Sequence, residues 1–407
     1  MDVTATTYPF TRHRPFEMPH EFAWLRANAP VTQVKLAGGE PAWLITRYDD
    51  VRAALSDPRF ARTPPQAPAA PMDTGFPVDR SSPVFSFGSS ISEPPGHTRW
   101  RRIVNKAFTQ RQADTMRPLI RQHTAAVLDD MAARGGHADL MDDFAYRLPL
   151  RIICELLGIP DQDRPEFTAL ASGLTRRDPQ TSFAAFGTTM QGIGRYAATL
   201  IGRKRRDLGD DLLSTLITLH DDDDSRLSTE ELVSTVILLL MAGYESTAVQ
   251  FGNAFFALFQ NPDQLARLRA EPDLVETAVE EILRWAQMGT GFAVAKFAAT
   301  DITIGGVTIP TGATVFVSIA SADRDSAQFG ADAELFDVAR RTAVRHLAFS
   351  SGPHYCLGAA LARAELREGL SGVLDRFPGL RLDGSMADVE LASNLFTFYP
   401  RNLPVTW

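Results

Sequence analysis

The sequence predicts a mainly α-helical fold with a small β region, and three observations carry that prediction. The longest apolar pattern, residues 232–259, is opened by the capping box Ser228-Thr229-Glu230-Glu231 and stopped by Asn261-Pro262, the signals of a helix with defined ends. Residues 98–219 read as helices separated by short breaks such as Gly158-Ile159-Pro160. Strand-like alternation is confined to residues 31–45, residues 301–319 and a short tail. No linker and no internal repeat divides the 407 residues, so a single domain is expected.

Taken in order, residues 31–45 hold two alternating runs around Gly38-Gly39-Glu40-Pro41, the pattern of a hairpin, and Tyr48 to Leu55 begins a helix. Residues 63–90 are rich in Pro, Ser and Gly and carry Phe76, Phe85 and Phe87; a loop of that length is either functional or disordered, and composition does not separate the two. The basic run Arg203-Lys204-Arg205-Arg206 falls on a helix and reads as a solvated face, and the acidic run at 221–224 reads as a turn. At ~1.5 Å per residue the long apolar helix spans roughly 45 Å, and a nearly all-apolar helix of that length must cross the interior. Two shorter helices follow, ending at Trp285. Residues 301–319 then alternate as a hairpin around Gly305-Gly306 and Pro310-Thr311-Gly312.

A net charge of −8 argues against a nucleic-acid surface. The two cysteines, Cys154 and Cys356, do not form a disulfide framework, and Cys154 lies in an apolar core-helix pattern. Residues 1–17 lack the apolar region of a signal peptide. No run approaches the ~18–20 apolar residues of a membrane span. A soluble cytoplasmic protein, without membrane or nucleic-acid partners, is expected.

Cys356 sits in Phe349-Ser350-Ser351-Gly352-Pro353-His354-Tyr355-Cys356-Leu357-Gly358, followed at once by a helical pattern over 359–370. Unpaired N–H groups and the dipole at a helix N-terminus favour a thiolate, and glycines let backbone pass close to a flat ligand. Such a cysteine suits haem iron; taken alone it reads first as a buried free thiol at the start of a core helix. The whole run resembles the haem-ligand signature of the cytochrome P450 family, Phe-Gly-x-Gly-x-His-x-Cys-x-Gly, with Ser350 at a usual glycine.

Further motifs carry the same resemblance. The long helix is interrupted by Ala242-Gly243-Tyr244-Glu245-Ser246-Thr247, where glycine, a carboxylate and hydroxyls are costly. A helix irregularity with hydroxyls bonded back to the preceding turn explains them; so does a proton relay. The segment resembles the family's Ala-Gly-x-(Asp/Glu)-Thr, with Glu245 as the acid, Ser246 at the usual threonine and Thr247 next to it. Glu281 and Arg284 have the spacing of an ordinary surface pair, and also match the family's Glu-x-x-Arg, with Arg340 as third member of a structural triad. Glu93-Pro94-Pro95-Gly96-His97-Thr98-Arg99-Trp100-Arg101-Arg102 resembles acid-Pro-Pro-x-His-x-x-x-Arg. The resemblance implies that His97, Arg101, His354 and Lys296, the last at a usual arginine at the start of a strand, meet the propionates, with Phe349 and Gly358 lining the cofactor.

The resemblance implies one haem-thiolate domain with no fused reductase. Its haem b (iron protoporphyrin IX), ligated by Cys356, would lie between the long helix and the helix after the ligand. It implies a monomeric monooxygenase of secondary metabolism, similar to actinobacterial natural-product-tailoring members and supplied with electrons by a ferredoxin and its reductase. Arg99, Arg101, Arg102 and Lys106, with Arg363 and Arg367, would offer an electropositive docking face. The substrate would be a mostly apolar or aromatic small molecule in a pocket walled by Phe85, Phe87, Leu238, Met241, Ala242, Met288, Phe292, Val294, Leu395 and Phe396. Three rivals stand beside this: an oxidative C–C or C–N coupling enzyme using the same oxidant, a non-catalytic haem-binding helper, and a haem-free binding protein.

Overall fold

The computed structural model describes residues 7–12, 16–62, 89–175, 183–219, 226–289, 294–393 and 397–407. The fold is mainly helical with a small β region, as the sequence predicts. The chain forms two compact units, each assembled from three stretches: residues 1–79, 253–356 and 395–398, and residues 80–252, 357–394 and 399–407.

The first unit carries a six-stranded sheet in the order Thr7–Tyr8, Val31–Leu36, Pro41–Ile45, Thr314–Val317, Val294–Ala298, Phe60–Ala61. Val31–Leu36 and Pro41–Ile45 pair antiparallel with Val31 opposite Ile45, the hairpin expected there. The second expected hairpin divides. Ile302–Ile304 pairs with Val307–Ile309 around Gly305-Gly306, but Thr314–Val317 leaves it to run parallel to Pro41–Ile45 and antiparallel to Val294–Ala298. Val315 and Val317 are fully buried; a strand in that position needs ladder partners on both sides, which the hairpin alone cannot supply. The sheet buries Ile45, Val315 and Val317 against Val51 and Leu55 of the helix Tyr48–Ser56, and Leu44 against Phe22 and Leu25. The helices Pro262–Ala270 and Val275–Trp285 follow.

The second unit is helical. The helix Ala359–Arg376 packs along Gln110–Ala132; at Gly372 a Cβ would lie 2.6 Å from Thr124 Cγ2, so this approach excludes any side chain. A three-stranded sheet joins Arg381–Leu382, Pro404–Thr406 and His137–Asp139. Cys154 is buried on the helix Arg147–Leu157, where burial pushes its thiol up to about 12, too high for a reactive thiolate. The basic run is not wholly a solvated face. Arg203 and Lys204, in the last turn of Phe183–Lys204, pair with the shielded carboxylates of Asp163 and Asp211; only Arg205 and Arg206 are exposed. The acidic run and residues 63–88 lie outside the described residues.

The predicted long helix extends over Thr229–Gln260, 32 residues. Ser228 Oγ accepts the Glu231 N–H at 3.1 Å and Glu231 Oε2 accepts the Ser228 N–H at 2.8 Å, completing the capping box. By length and hydropathy this helix could cross a membrane, a property that counting unbroken apolar runs misses because small polar residues interrupt them. Over half of its apolar window is buried within the protein, as in a core helix. Inside it, Leu240–Glu245 is a π-helical turn between Thr229–Leu239 and Ser246–Gln260.

Candidate active site

Cys356 is half-exposed, two residues before Gly358, the N-cap of Ala359–Arg376. Its N–H donates to Phe349 O at 2.8 Å, and the Ser350 N–H donates to Leu347 O at 2.7 Å. Ser350 has φ 65° and Gly352 φ 71°. Ser350 therefore holds the left-handed backbone that glycine adopts freely, at a cost of roughly 1 kcal/mol. Gly352 cannot be replaced so easily: a Cβ there would sit 2.5 Å from Ser56 Cα. The loop thus rests on the end of the helix Tyr48–Ser56, where Ser56 Oγ and Ser351 Oγ are 3.0 Å apart. The half-buried Phe349 ring stands 5.6 Å from that of His346 and 6.5 Å from that of Tyr355. His354, also half-buried, closes the 3-10 turn Gly352–His354.

In the same unit the structure brings Glu281, Arg284 and Arg340 together, and the surface-pair alternative fails: the side chains of Glu281 and Arg284 are 0% exposed. Arg284 donates from Nε and Nη2 to the two Glu281 oxygens at 2.6 and 2.7 Å, and to the carbonyls of Asp323, Ala333 and Leu335. Arg340 Nε reaches Glu281 Oε1 at 3.3 Å while its Nη atoms bond Asp332 and the Phe329 carbonyl. The Asp337 N–H adds a fourth donor to Glu281, at 2.9 Å.

In the second unit, Glu245, Ser246 and Thr247 follow one another across the end of the π turn. The Ser246 hydroxyl donates to Ala242 O, and that of Thr247 to Gly243 O at 2.7 Å. Both are bonded back into the helix, and each hydroxyl oxygen retains acceptor capacity. Ala242 and Gly243 are exposed in mid-helix, Leu238 is 40% exposed and Met241 half-buried. Glu245 is buried with Tyr146, Tyr244 and Tyr399. Burial, then Tyr399, Tyr244 and Glu245, push the Tyr146 phenol above its ordinary range.

His97 is buried and Arg101 half-buried, one turn apart on Gly96–Asn105. This helix is tied to the long one: Trp100 Nε1 donates to Thr235 Oγ1 at 2.8 Å and Arg99 Nη1 to Glu231 Oε1 at 2.6 Å. Arg99 is therefore engaged within its unit, whereas Arg102 and Lys106 are exposed and Arg363 and Arg367 half-buried. Lys296 is buried in the middle of Val294–Ala298, not at its start, with Nζ 3.4 Å from Phe60 O. Met288 and Val294 are half-buried, and Met288 O accepts the Phe398 N–H. Phe85, Phe87, Phe292, Leu395 and Phe396 lie outside the described residues.

Two groups around the cysteine loop escaped the sequence reading. Asp323 is fully buried between Arg284 and the loop approach; burial pushes its carboxyl up to about 8, against the Leu347 N–H and the guanidiniums of Arg284 and Arg324. Burial likewise lowers Arg324 to about 9. His346 Nδ1 accepts the Ala348 N–H at 3.0 Å while Nε2 stands 3.2 Å from Glu280 Oε2. The dense charge of Asp323-Arg324-Asp325 directly after an apolar helical turn was the available signal.

These residues fit a haem. Among the described residues no cluster of three or more His, Cys, Asp or Glu could hold a bare metal ion. A metal at Cys356 would have one soft donor, the set that suits a group bringing its own remaining ligands. Backbone that a flat ligand could approach is open in each unit: a Cβ on Gly289 or on Gly358 would meet nothing within 4 Å, and one on Gly243 only Ile153 Cδ1, at 3.9 Å.

Residues 184–385 match the family model described as Cytochrome P450. The chain is 40% identical over 401 residues, 98% of both chains, to the mycinamicin IV hydroxylase/epoxidase of Micromonospora griseorubida. It is 40% identical over 389 residues, 94% of both, to the 6-deoxyerythronolide B hydroxylase of Saccharopolyspora erythraea. Among solved structures it is similar to the LnmA cytochrome P450 hydroxylase of the leinamycin pathway of Streptomyces atroolivaceus, with TM-score 0.88, 37% identity, and coverage of 98% of this chain and 100% of that one.

Proposed function

We infer the roles of individual residues from one premise: the chain belongs to the cytochrome P450 family. It is an oxidoreductase, a monooxygenase of secondary metabolism. The family implies haem with a cysteine thiolate ligand, a small-molecule substrate and a redox partner. The observation that carries this to residues is the Cys356 loop, a half-exposed thiol held by backbone hydrogen bonds beside open backbone.

Haem b, held by the Cys356 thiolate, supplies dioxygen activation: O2, two electrons and two protons convert a substrate C–H to C–OH and release water. The chain's own residues do the rest. His97, Arg101, Lys296 and His354 would offer donors to the haem's carboxylates, and Phe349 and Gly358 would line its pocket. Glu245 would exchange protons with water, and the hydroxyls of Ser246 and Thr247, at Oγ and Oγ1, would pass a proton on toward the substrate side. Leu238, Met241, Ala242, Met288 and Val294 bind substrate and exclude water. Glu281, Arg284 and Arg340 hold the cysteine loop in shape.

The finer reading is a cytoplasmic monomer, one haem-thiolate domain, reduced by a ferredoxin and its reductase. Its substrate is a bulky, mostly apolar natural product, consistent with the mycinamicin and deoxyerythronolide substrates in the relatives' names. Those names carry hydroxylation and epoxidation, which supports oxygen insertion over coupling. The test is spectral and chemical. The reduced protein with carbon monoxide shows a thiolate-type haem band that Cys356→Ala abolishes with Cys154 intact, and the product gains one oxygen. An unchanged band in Cys356→Ala overturns the assignment of the ligand; loss of two hydrogens in the product overturns oxygen insertion.

A further inference from the structure

The approach to the cysteine loop is held by a chain of hydrogen bonds that begins at a side chain. Asp323 Oδ1 accepts the Leu347 N–H at 2.8 Å. Leu347 O accepts the Ser350 N–H at 2.7 Å, closing the turn in which Ser350 has φ 65°. The Ser350 N–H and the Phe349 carbonyl belong to one peptide plane, and that carbonyl accepts the Cys356 N–H at 2.8 Å. Three hydrogen bonds thus lie between a carboxyl group and the amide of the cysteine: the first fixes the peptide on the N-terminal side of Leu347, the second the carbonyl on its C-terminal side, and the second and third share the Phe349–Ser350 peptide. The two bonds that share a peptide polarise one another.

Asp323 is itself fixed from two sides. Its carbonyl accepts Arg284 Nη1 at 2.6 Å, and its second carboxylate oxygen accepts Gln287 Nε2. Arg284 and Gln287 are one turn apart, at the end of the helix that carries Glu281 and just beyond it. The carboxyl group is fully buried, so no solvent competes for the Leu347 N–H. Ser350 raises the demand on this anchor: a non-glycine residue in left-handed backbone relaxes toward negative φ unless its surroundings over-determine it.

We propose that Asp323 is a positioning residue for the thiolate: its carboxyl group couples the Glu281–Arg284 network to Cys356 through Leu347, Ser350 and Phe349 and holds the strained Ser350 turn closed. The proposal rests on Cys356 as haem ligand for its spectral consequence, but not for its geometric one.

The experiment compares Asp323→Ala, Asp323→Asn and Gln287→Leu with the parent in the haem-loaded full chain. Two readouts are taken: amide hydrogen exchange at Leu347, Ser350 and Cys356, and the share of the ferrous–carbon monoxide spectrum in the thiolate rather than the thiol form. Asparagine keeps an acceptor oxygen at the Oδ1 position. Asp323→Asn is therefore expected to retain the protection and the thiolate share. Asp323→Ala is expected to lose at least tenfold protection at Leu347 and Ser350 and to shift much of the spectrum to the thiol form. Gln287→Leu frees one carboxyl oxygen and gives up the Gln287 Nε2 bond to the Arg284 carbonyl, but leaves every partner of the Arg284 guanidinium in place, so it moves both readouts the same way by less, and serves where Asp323→Ala does not fold. Parent-like exchange in Asp323→Ala, or in Gln287→Leu where the alanine variant is not obtained, overturns the proposal. So does an asparagine variant as loose as alanine. A parent without a thiolate band overturns the haem ligand instead, and the exchange data still decide the role of Asp323.

Discussion

Replacing Glu281 tests the energetics of the cysteine-loop support. Its carboxylate accepts four hydrogen bonds, two from Arg284, one from Arg340 and one from the Asp337 amide. In Glu281→Ala the Arg284 guanidinium, whose side chain is 0% exposed, keeps only carbonyl partners. Leaving one member of a buried pair uncompensated costs about 3–5 kcal/mol. Summing the bonds separately at about 1.5–3 kcal/mol each would give more, but water entering the truncated site offsets part of that. Against a net stability of about 5–15 kcal/mol the lower figure already depopulates the native state appreciably. Most of the Glu281→Ala chain should therefore be recovered without haem, with a lowered urea midpoint. Arg340→Ala should cost about half as much. Of the two carboxylates it abandons, Asp332 has a side chain 56% exposed and is resolvated on release, and Glu281 keeps Arg284 and the Asp337 amide. Parent-like haem content in Glu281→Ala, or a larger loss for Arg340→Ala than for Arg284→Ala, refutes this reasoning.

Three further outcomes follow from other features. Ser246→Ala should raise the fraction of reducing equivalents lost as peroxide, while Ser246→Thr keeps or improves coupling because the added methyl narrows rotamer choice; an unchanged leak removes Ser246 from the relay. Ser350→Gly should raise the unfolding midpoint by an amount equivalent to at most about 1 kcal/mol, since the native φ of 65° already suits glycine; a clear loss contradicts strain at that turn. Glu365 is fully buried, its Oε2 has no hydrogen-bond partner among the described residues, and burial pushes its carboxyl up to about 8 from 4.5. The folded chain therefore holds a proton that the unfolded chain releases. Its contribution to stability is present below about 4.5 and falls by a few kcal/mol as pH rises to about 8. Glu365→Gln should remove that slope; equal pH profiles for variant and parent would show that the carboxyl is solvated.

Much of the fold was legible because local signals and burial agree. The capping box opens the long helix where the sequence places it, and Val31–Leu36 and Pro41–Ile45 form the hairpin expected there. The β residues after Pro310 were misassigned because a period-two pattern states which face is buried, not which strand lies alongside. The π turn at Leu240–Glu245 leaves no trace in periodicity, since one extra residue per turn hardly shifts an all-apolar pattern.

The candidate site was legible to the extent that its chemistry needs particular residue types close together in sequence: Cys356 with its glycines, and Glu245 with Ser246 and Thr247. Glu281, Arg284 and Arg340 show where that stops. The pair's spacing is shared by countless exposed helix pairs, and what distinguishes it, complete burial with three carbonyls from two other segments, exists only once the chain is folded. Asp323 was less legible still. Its partners are the main-chain N–H of Leu347, the amide of Gln287 and the guanidinium that takes its carbonyl, and a backbone N–H has no identity in the sequence. Any carboxylate held by main-chain donors is silent to motif reading for that reason. The buried carboxyls left over after the motifs are assigned, Asp323 and Glu365 here, are therefore where a structure adds most to the sequence.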